Sequence, residues 1–370
     1  SGFMSGPALD KLFEECERRR MCLTAPEPAA RSTLYRSIAR DKKFPYRRVY
    51  LSTYARGEYW DGLGERERLL HVVRALADKN PSWVFIGESA AAVRGWDITL
   101  SPRWAEPPYG LSGEAWEPHG ARAMNGVVRR TGKTVPFEEV DGIRVSTPAR
   151  AIAECCLGTD PRQALPLIES ALYELDADAG QLVRELHRDL GYASKRGMRG
   201  LAGLLHGAEP RRLDARIPFA LKTIEMLGFA APRLGGGRGD GDGGGDGMPP
   251  FIWEGRTETL ELRLWEGGDA AGTCPRVAGD RSPDAGGEVR RARFTFREAC
   301  DPAGFSRTLA GYGVPREREI LVLPQGLYLP PPEVPYGERA IGNGEAPLGF
   351  DGVAGLMGRE PSAYRRGQAG

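Results

Sequence analysis

Apolar residues recur at helical spacing in stretch after stretch of this chain. Leu9, Leu12, Phe13 and Cys16 fall on one side of a helix predicted over 8–20, with Glu14, Glu15, Glu17 and Arg18 on the other. The Pro-containing stretch 24–30 ends that unit. A second helix is predicted from Ser32, which caps it, with Leu34, Tyr35 and Ile38 facing inward. Residues 44–52 hold β-formers around a turn and predict a strand pair, or wing. Leu69, Val72, Val73 and Leu76 form the buried stripe of a helix over 65–79. A short buried strand at 83–86 leads into a helix that starts at Ser89 and ends at Gly95. From 97 to 145 the pattern is one of short β segments between Pro and Gly. Thr147-Pro148 is a helix start, an N-cap followed by proline at the first helical position, and predicts a helix over 147–157. Further helical stretches follow near 161–175, 178–190 and 196–206.

The last third changes character. Ile217, Leu221, Ile224 and Leu227 share one face of a helix over 215–228, which Gly228 stops. Nine of the thirteen residues from Gly235 to Gly247 are Gly. A strand pair at 250–254 and 259–265 comes next, then a polar, Gly-rich stretch to about 287, a strand at 293–296 and a helix at 301–312. Beyond Pro324 the chain is rich in Pro and Gly with little periodicity, the composition of an irregular or disordered tail.

At 370 residues the chain is long enough for two or three domains. The pattern divides it at 8–60, 61–210 and 211–323, with a Gly-rich insertion at 235–247 and a tail at 324–370. Apolar residues are 41% and charged residues 27%, the make-up of a globular protein. Lys and Arg total 51 against 50 Asp and Glu, so no global field draws the chain to nucleic acid, and any such site must come from local clustering. Cys16, Cys22, Cys155, Cys156, Cys274 and Cys300 are scattered with no C-x-x-C, which points to a reducing compartment and a cytoplasmic location. The start lacks a charged-then-apolar leader, and no apolar run approaches about 20 residues, so no membrane partner is expected.

One cluster answers the charge requirement. Arg31, Arg36, Arg40, Lys42, Lys43, Arg47 and Arg48 lie within eighteen residues that contain a single acid, Asp41. Such a run pairs with phosphates along a DNA groove. The predicted order there is helix, turn, helix, hairpin, a winged helix-turn-helix. Arg36 and Arg40, four residues apart, share a helix face, and Tyr35 and Tyr46 add backbone contacts. The alternative is a solvated face on a helical hairpin.

Two other patterns carry less chemistry. The Gly/Asp run at 235–242 is a single imperfect copy of a calcium-binding repeat, and no Gly-Lys-Ser/Thr follows it, so it is a linker or surface loop. Metal-dependent nucleases set an Asp on one strand and Glu-x-Lys on the next, so that carboxylates hold Mg²⁺ and the lysine steadies the attacking water. Here the second strand offers Glu261-Leu262-Arg263, with Arg in place of Lys. The first has no Asp in its body, only Asp246 and Glu254 at its edges. Under a nuclease reading Asp246, Glu254 and Glu261 hold Mg²⁺ and Arg263 stabilises charge; otherwise no cofactor is expected. His71, His119, His187 and His206 show no ligand spacing, and His71 and His187 fall within helices as structural residues.

Several stretches, in their order, resemble a group of actinobacterial proteins with an AbiEi-type antitoxin N-terminal half and a very-short-patch-repair-like endonuclease fold behind it. Arg36 to Tyr50 is similar to the end of the recognition helix, the wing and its Val-Tyr strand. Val84-Phe85-Ile86-Gly87-Glu88-Ser89-Ala90-Ala91 through Gly95 resembles the family's strand and Ser-Ala-Ala-x-x-x-Gly. Ile143 to Glu154 resembles its Val-Thr-Ser-x-x-Arg-Thr-x-x-Asp segment, with Glu154 in place of Asp. Leu227 to Pro232, Phe251 to Glu254 and Arg293 to Phe296 follow the order of the nuclease-like half. The resemblance implies an α+β or α/β multi-domain chain: a winged helix that binds the operator of its own operon, a middle α/β domain, and a restriction-endonuclease-like core. It also implies a nucleotidyltransferase toxin as partner. Pro250 stands where the nuclease pattern carries an Asp, and Phe219-Ala220-Leu221 lacks its early Glu, so the nuclease-like half reads as degenerate. The expected function is a DNA-binding regulator of antitoxin type. An active Mg²⁺-dependent endonuclease and a partner-binding protein without a nucleic-acid role are the alternatives.

Overall fold

A computed structural model describes residues 6–24, 34, 46–50, 53–100, 114–116, 123–124, 127–128, 136–157, 159–189, 195–235, 248–256, 258–265 and 288–318. The protein is a mixed α/β chain whose described residues fall into two compact units. One is drawn from Ser1–Thr159 and Leu167–Arg211, the other from Asp160–Pro166 and Arg212–Glu333. None of the helices among the described residues is long and apolar enough to cross a membrane. The Gly-rich run after Gly235 and the tail from 324 lie outside the described residues.

The first unit opens with α1 (Gly6–Arg18), β1 (Leu23–Thr24), β2 (Tyr46–Tyr50) and β3 (Thr53–Arg56). The helix ends because Arg20 turns to φ +52° and Met21 donates its N–H back to the Cys16 carbonyl at 2.9 Å, closing the last turn. The three strands make an antiparallel sheet in the order β1-β3-β2, with Leu23 opposite Tyr54 and Arg48 opposite Tyr54 on its other side. The apolar face read from the sequence is the one buried. Leu9, Phe13, Leu23, Leu34, Tyr46 and Tyr54 form one core, with Leu12 and Cys16 packed against it. The Phe13 and Tyr46 rings stack with centroids 4.7 Å apart and planes 9° apart. Tyr46 is therefore a core residue and not a backbone-contacting one, and its hydroxyl donates to the Asp10 carboxylate.

Next come α2 (Gly57–Asp61), which the periodicity does not predict, and α3 (Glu65–Lys79), where it is predicted. Four strands, β4 (Val84–Ile86), β5 (Glu114–Trp116), β8 (Phe137–Val140) and β9 (Ile143–Ser146), make a second sheet in the order β5-β4-β9-β8. Beside it lies the two-stranded pair β6 (Ala123–Met124) and β7 (Val127–Val128). Strands β4 and β9 run parallel, and each passes into a helix, α4 (Gly87–Val93) and α5 (Pro148–Cys156). The chain enters α4 directly from β4, which forces Gly87 to φ +57°, a conformation costly for residues with a Cβ. Glu154, fully buried on α5, accepts from the Gly87 N–H at 2.9 Å, the Ser146 hydroxyl at 3.0 Å and Arg150 Nε at 2.8 Å. One carboxylate thereby ties together the joints that follow both parallel strands. Its burial pushes its pKa up, and Arg150 pulls it back down.

Helix α6 (Pro161–Leu175) is followed by α7 (Ala179–Asp189) and α8 (Lys195–Gly207). On α6, Glu169 is buried and its main-chain carbonyl accepts from the Arg211 N–H at 3.4 Å. Burial raises the Glu169 carboxyl to about 7, with Arg211 acting the other way.

The second unit contains α9 (Arg216–Met226), β10 (Arg233–Leu234), β11 (Phe251–Glu254), β12 (Glu258–Trp265), β13 (Glu288–Thr295), α10 (Phe296–Cys300) and α11 (Pro302–Gly311). Its sheet runs β10-β11-β12-β13; the first three are antiparallel and β13 is parallel to β12. Strict alternation along β12 buries Leu260, Leu262 and Leu264. Beneath them Phe294 meets Phe251 at 5.3 Å and Phe305 at 5.1 Å between ring centroids. The strand expected at 293–296 starts earlier, at Glu288, and gives way at Phe296 to a helix. Thr295 and Glu298 form a capping box there: Thr295 accepts from the Glu298 N–H at 3.2 Å and its own N–H donates back to the Glu298 carboxylate at 2.7 Å.

Two stability outcomes follow from this packing. Replacing Phe13 with Ala empties the centre of the N-terminal core and is expected to cost about 3–5 kcal/mol, read from urea unfolding. Glu169 binds its proton more tightly folded than unfolded. Its contribution is therefore complete below the ordinary carboxylate range and is lost as pH rises through about 7. Glu169→Gln is expected to match the wild type at pH 4 to 5 and to exceed it by roughly 1–3 kcal/mol at pH 8, measured as unfolding midpoints across that range.

Candidate nucleic-acid interface

The basic stretch is strung between the first strand and the hairpin of the N-terminal sheet. Tyr46 begins β2 and anchors its far end in the core. Arg31, Arg36, Arg40, Lys42 and Lys43 lie outside the described residues, as do Tyr35 and the side chain of Arg48. Leu34, expected to face inward, is fully buried among Leu9, Phe13 and Leu23.

Arg47 is the member of the cluster whose surroundings are described. It stands on β2 opposite Ala55, and its guanidinium is exposed. It does not reach out unengaged: Nη1 and Nη2 donate to the two oxygens of Asp61, at 2.7 and 2.8 Å, a bidentate fork. Asp61 is the last residue of α2, so the counter-charge comes from a helix the sequence pattern does not reveal. Both side chains are about half exposed, and an ion pair of that kind is worth about 0–1 kcal/mol, little enough for a phosphate to displace the carboxylate.

Behind the hairpin a second set of polar groups is internal. Arg56 on β3 donates through Nε to Glu17 of α1 at 2.7 Å, and Glu17 holds its guanidinium above its ordinary pKa. His71 is buried on α3. Its Nδ1 lies 2.6 Å from the Glu67 carbonyl, which only accepts, so Nδ1 carries the hydrogen and Nε2 accepts from the Tyr59 hydroxyl at 2.8 Å. Burial lowers its pKa, in keeping with a neutral ring. This imidazole is structural, as its place in the helix pattern implies. His187 is exposed on α7.

The residues proposed for a metal site are distributed as follows. Asp246 lies outside the described residues. Glu254 and Glu261 share the outer face of the second unit's sheet. Glu261 is opposite Ile252 and Glu254 opposite Thr259, which makes Glu254 and Glu261 diagonal neighbours across the strand pair. Each is engaged by arginine: Arg233 donates to Glu254 at 2.6 Å, while Arg263 at 2.7 Å and Arg291 at 3.5 Å share Glu261. Among the described residues, no group of three or more His, Cys, Asp or Glu is placed to hold a metal ion.

No protein family, curated protein or solved structure matches the chain.

The arginine pairing at Glu261 yields a direct outcome. Glu261→Gln is expected to leave the heat of Mg²⁺ titration into the protein unchanged, because the side chain serves as an arginine counter-ion. A titratable Mg²⁺ site present in the wild type and lost in the variant would restore the metal reading.

Proposed function

We propose that the chain is a DNA-binding regulator of antitoxin type that reads duplex DNA through its N-terminal module. The supporting observation is topological. A helix, a short strand, the basic segment and a hairpin follow one another, and the short strand pairs with the hairpin's second strand to give the order β1-β3-β2. That is the connectivity of a winged helix, in which the segment between the first strand and the hairpin supplies the helix that enters the major groove. The charge sits where this reading needs it, on that segment and on the hairpin. Arg36, Arg40, Lys42, Lys43 and Arg31 contact phosphates, and Arg47 and Arg48 reach the neighbouring groove from the wing.

The AbiEi-like resemblance completes the reading. Residues 61–210 form the family's middle α/β domain, and residues 211–323 a restriction-endonuclease-like core that packs or binds a partner without cleaving. A nucleotidyltransferase toxin is the partner this implies, and a cytoplasmic location fits it.

A gel-shift titration on the duplex upstream of the protein's own reading frame tests the assignment. Binding is expected to weaken steeply with salt. Arg36→Ala with Arg40→Ala is expected to reduce the log–log salt slope by about 1.8, at roughly 0.9 per lost phosphate contact, with the circular dichroism spectrum unchanged. Asp61→Ala, which releases Arg47 from its carboxylate, is expected to raise affinity and steepen the slope. Affinity indifferent to all three substitutions would overturn the reading.

A further inference from the structure

The outer face of the second unit's sheet carries a patch that the N-terminal reading does not use. In the parallel register of β12 and β13, Glu261 stands opposite Arg291 and Arg263 opposite Arg293. Strand alternation puts all four on the side away from Leu260, Leu262 and Leu264, and carries Trp265 to the same side two residues beyond Arg263. Two guanidinium groups, those of Arg263 and Arg291, therefore engage one carboxylate, and Arg293 stands one register position further along on the same face. Glu261 is only 12% exposed, whereas Arg263 and Arg291 are 55% and 42% exposed. Arg263 engages Glu261 through Nε at 2.7 Å. The Arg293 side chain is half-buried beside them, and its own carbonyl accepts from the Tyr312 hydroxyl at 3.1 Å, which fixes the strand beneath it.

We infer that this face binds single-stranded nucleic acid, with the arginines on the phosphates and Trp265 under a base. Charge complementarity selects the ligand. The patch keeps more cations than anions, its arginines are spaced by a rigid sheet, and Glu261 pre-orients two of them, which reduces the ordering cost of binding. The partly exposed indole selects the strand state, because an aromatic on a cationic surface stacks on an unpaired base and has nothing to stack on along a closed duplex. Glu261 acts here as a positioning residue. This surface is independent of the N-terminal module, so either reading stands if the other fails.

Fluorescence anisotropy with the full chain tests the inference, using labelled oligo-dT, oligo-U and a duplex of equal length. All proteins carry Arg36→Ala and Arg40→Ala, so that the N-terminal module is weakened in common. Adding Arg263→Ala with Arg293→Ala is expected to weaken oligo-dT or oligo-U binding about tenfold or more and to lower the salt slope by about 1.4, at roughly 0.7 per contact on single strands. The lysine pair at the same positions is expected to keep most of that slope. Trp265→Ala is expected to weaken single-strand binding at least about fivefold, as loss of one stacked base does, and to leave duplex binding unchanged. The ratio of oligo-dT to oligo-U affinity identifies the natural strand. Unchanged single-strand binding in the alanine pair, or equal losses on duplex and single strand in Trp265→Ala, would overturn the inference.

Discussion

Tyr46 joins the charge of this protein to its fold. Its ring lies flat on Phe13 of the first helix, its hydroxyl donates to Asp10, and its backbone pairs with Arg56 on the central strand of the N-terminal sheet. Burial and the Asp10 carboxylate raise the phenol to about 12, so the hydroxyl remains a donor at every physiological pH. The basic stretch runs through this residue, with Arg47 and Arg48 directly after it. Leu34 enters the same core from within the stretch, so the chain between them is pinned at two points to Leu9, Phe13 and Leu23. Burying Leu34 and Tyr46 stabilises these two anchor points by several kcal/mol, at roughly 1.5–3 kcal/mol each.

Near-neutrality of the whole chain conceals how its arginines are divided. Arg150 with Glu154 is an internal pair on α5, and Glu154 also accepts from the Gly87 N–H. Arg47 with Asp61 is an exposed pair of the same apparent kind. The difference lies in solvent. An interior carboxylate stripped of its arginine is left with an uncompensated buried charge, whereas a surface carboxylate released by an incoming phosphate is simply rehydrated. A chain with 51 basic and 50 acidic side chains can thus hold locally cationic surface while its bulk field stays near zero.

The periodic elements were legible in the sequence. The helices at Glu65–Lys79 and Pro161–Leu175 sit where their apolar stripes predict them, and β12 shows the alternation that its Leu residues announce. Two of the short elements were not. Helix α2 has five residues, too few for a period to repeat, yet it delivers Asp61 to Arg47. Strand β1 has two residues and is defined by pairing to β3, a relation between distant positions that no local pattern carries. The residue types of the candidate interface were visible as a basic run, but Tyr46 was misassigned because an aromatic beside arginines looks the same in sequence whether it faces a groove or a core. Glu261 was legible as a carboxylate on a strand. That Arg291 also reaches it depends on the parallel register of a strand thirty residues further along the chain.

That register also separates the two readings of the sheet. A metal site needs carboxylates that face one another with nothing cationic between them, because an adjacent guanidinium both repels the ion and occupies the oxygens it would take. Glu254 and Glu261 share a face, but Arg233 binds one, and Arg263 and Arg291 bind the other. Pro250, the residue before β11, brings no carboxylate to this sheet. Arginines from β12 and β13 hold one carboxylate between them, the reverse of the several carboxylates around one cation that a metal site requires.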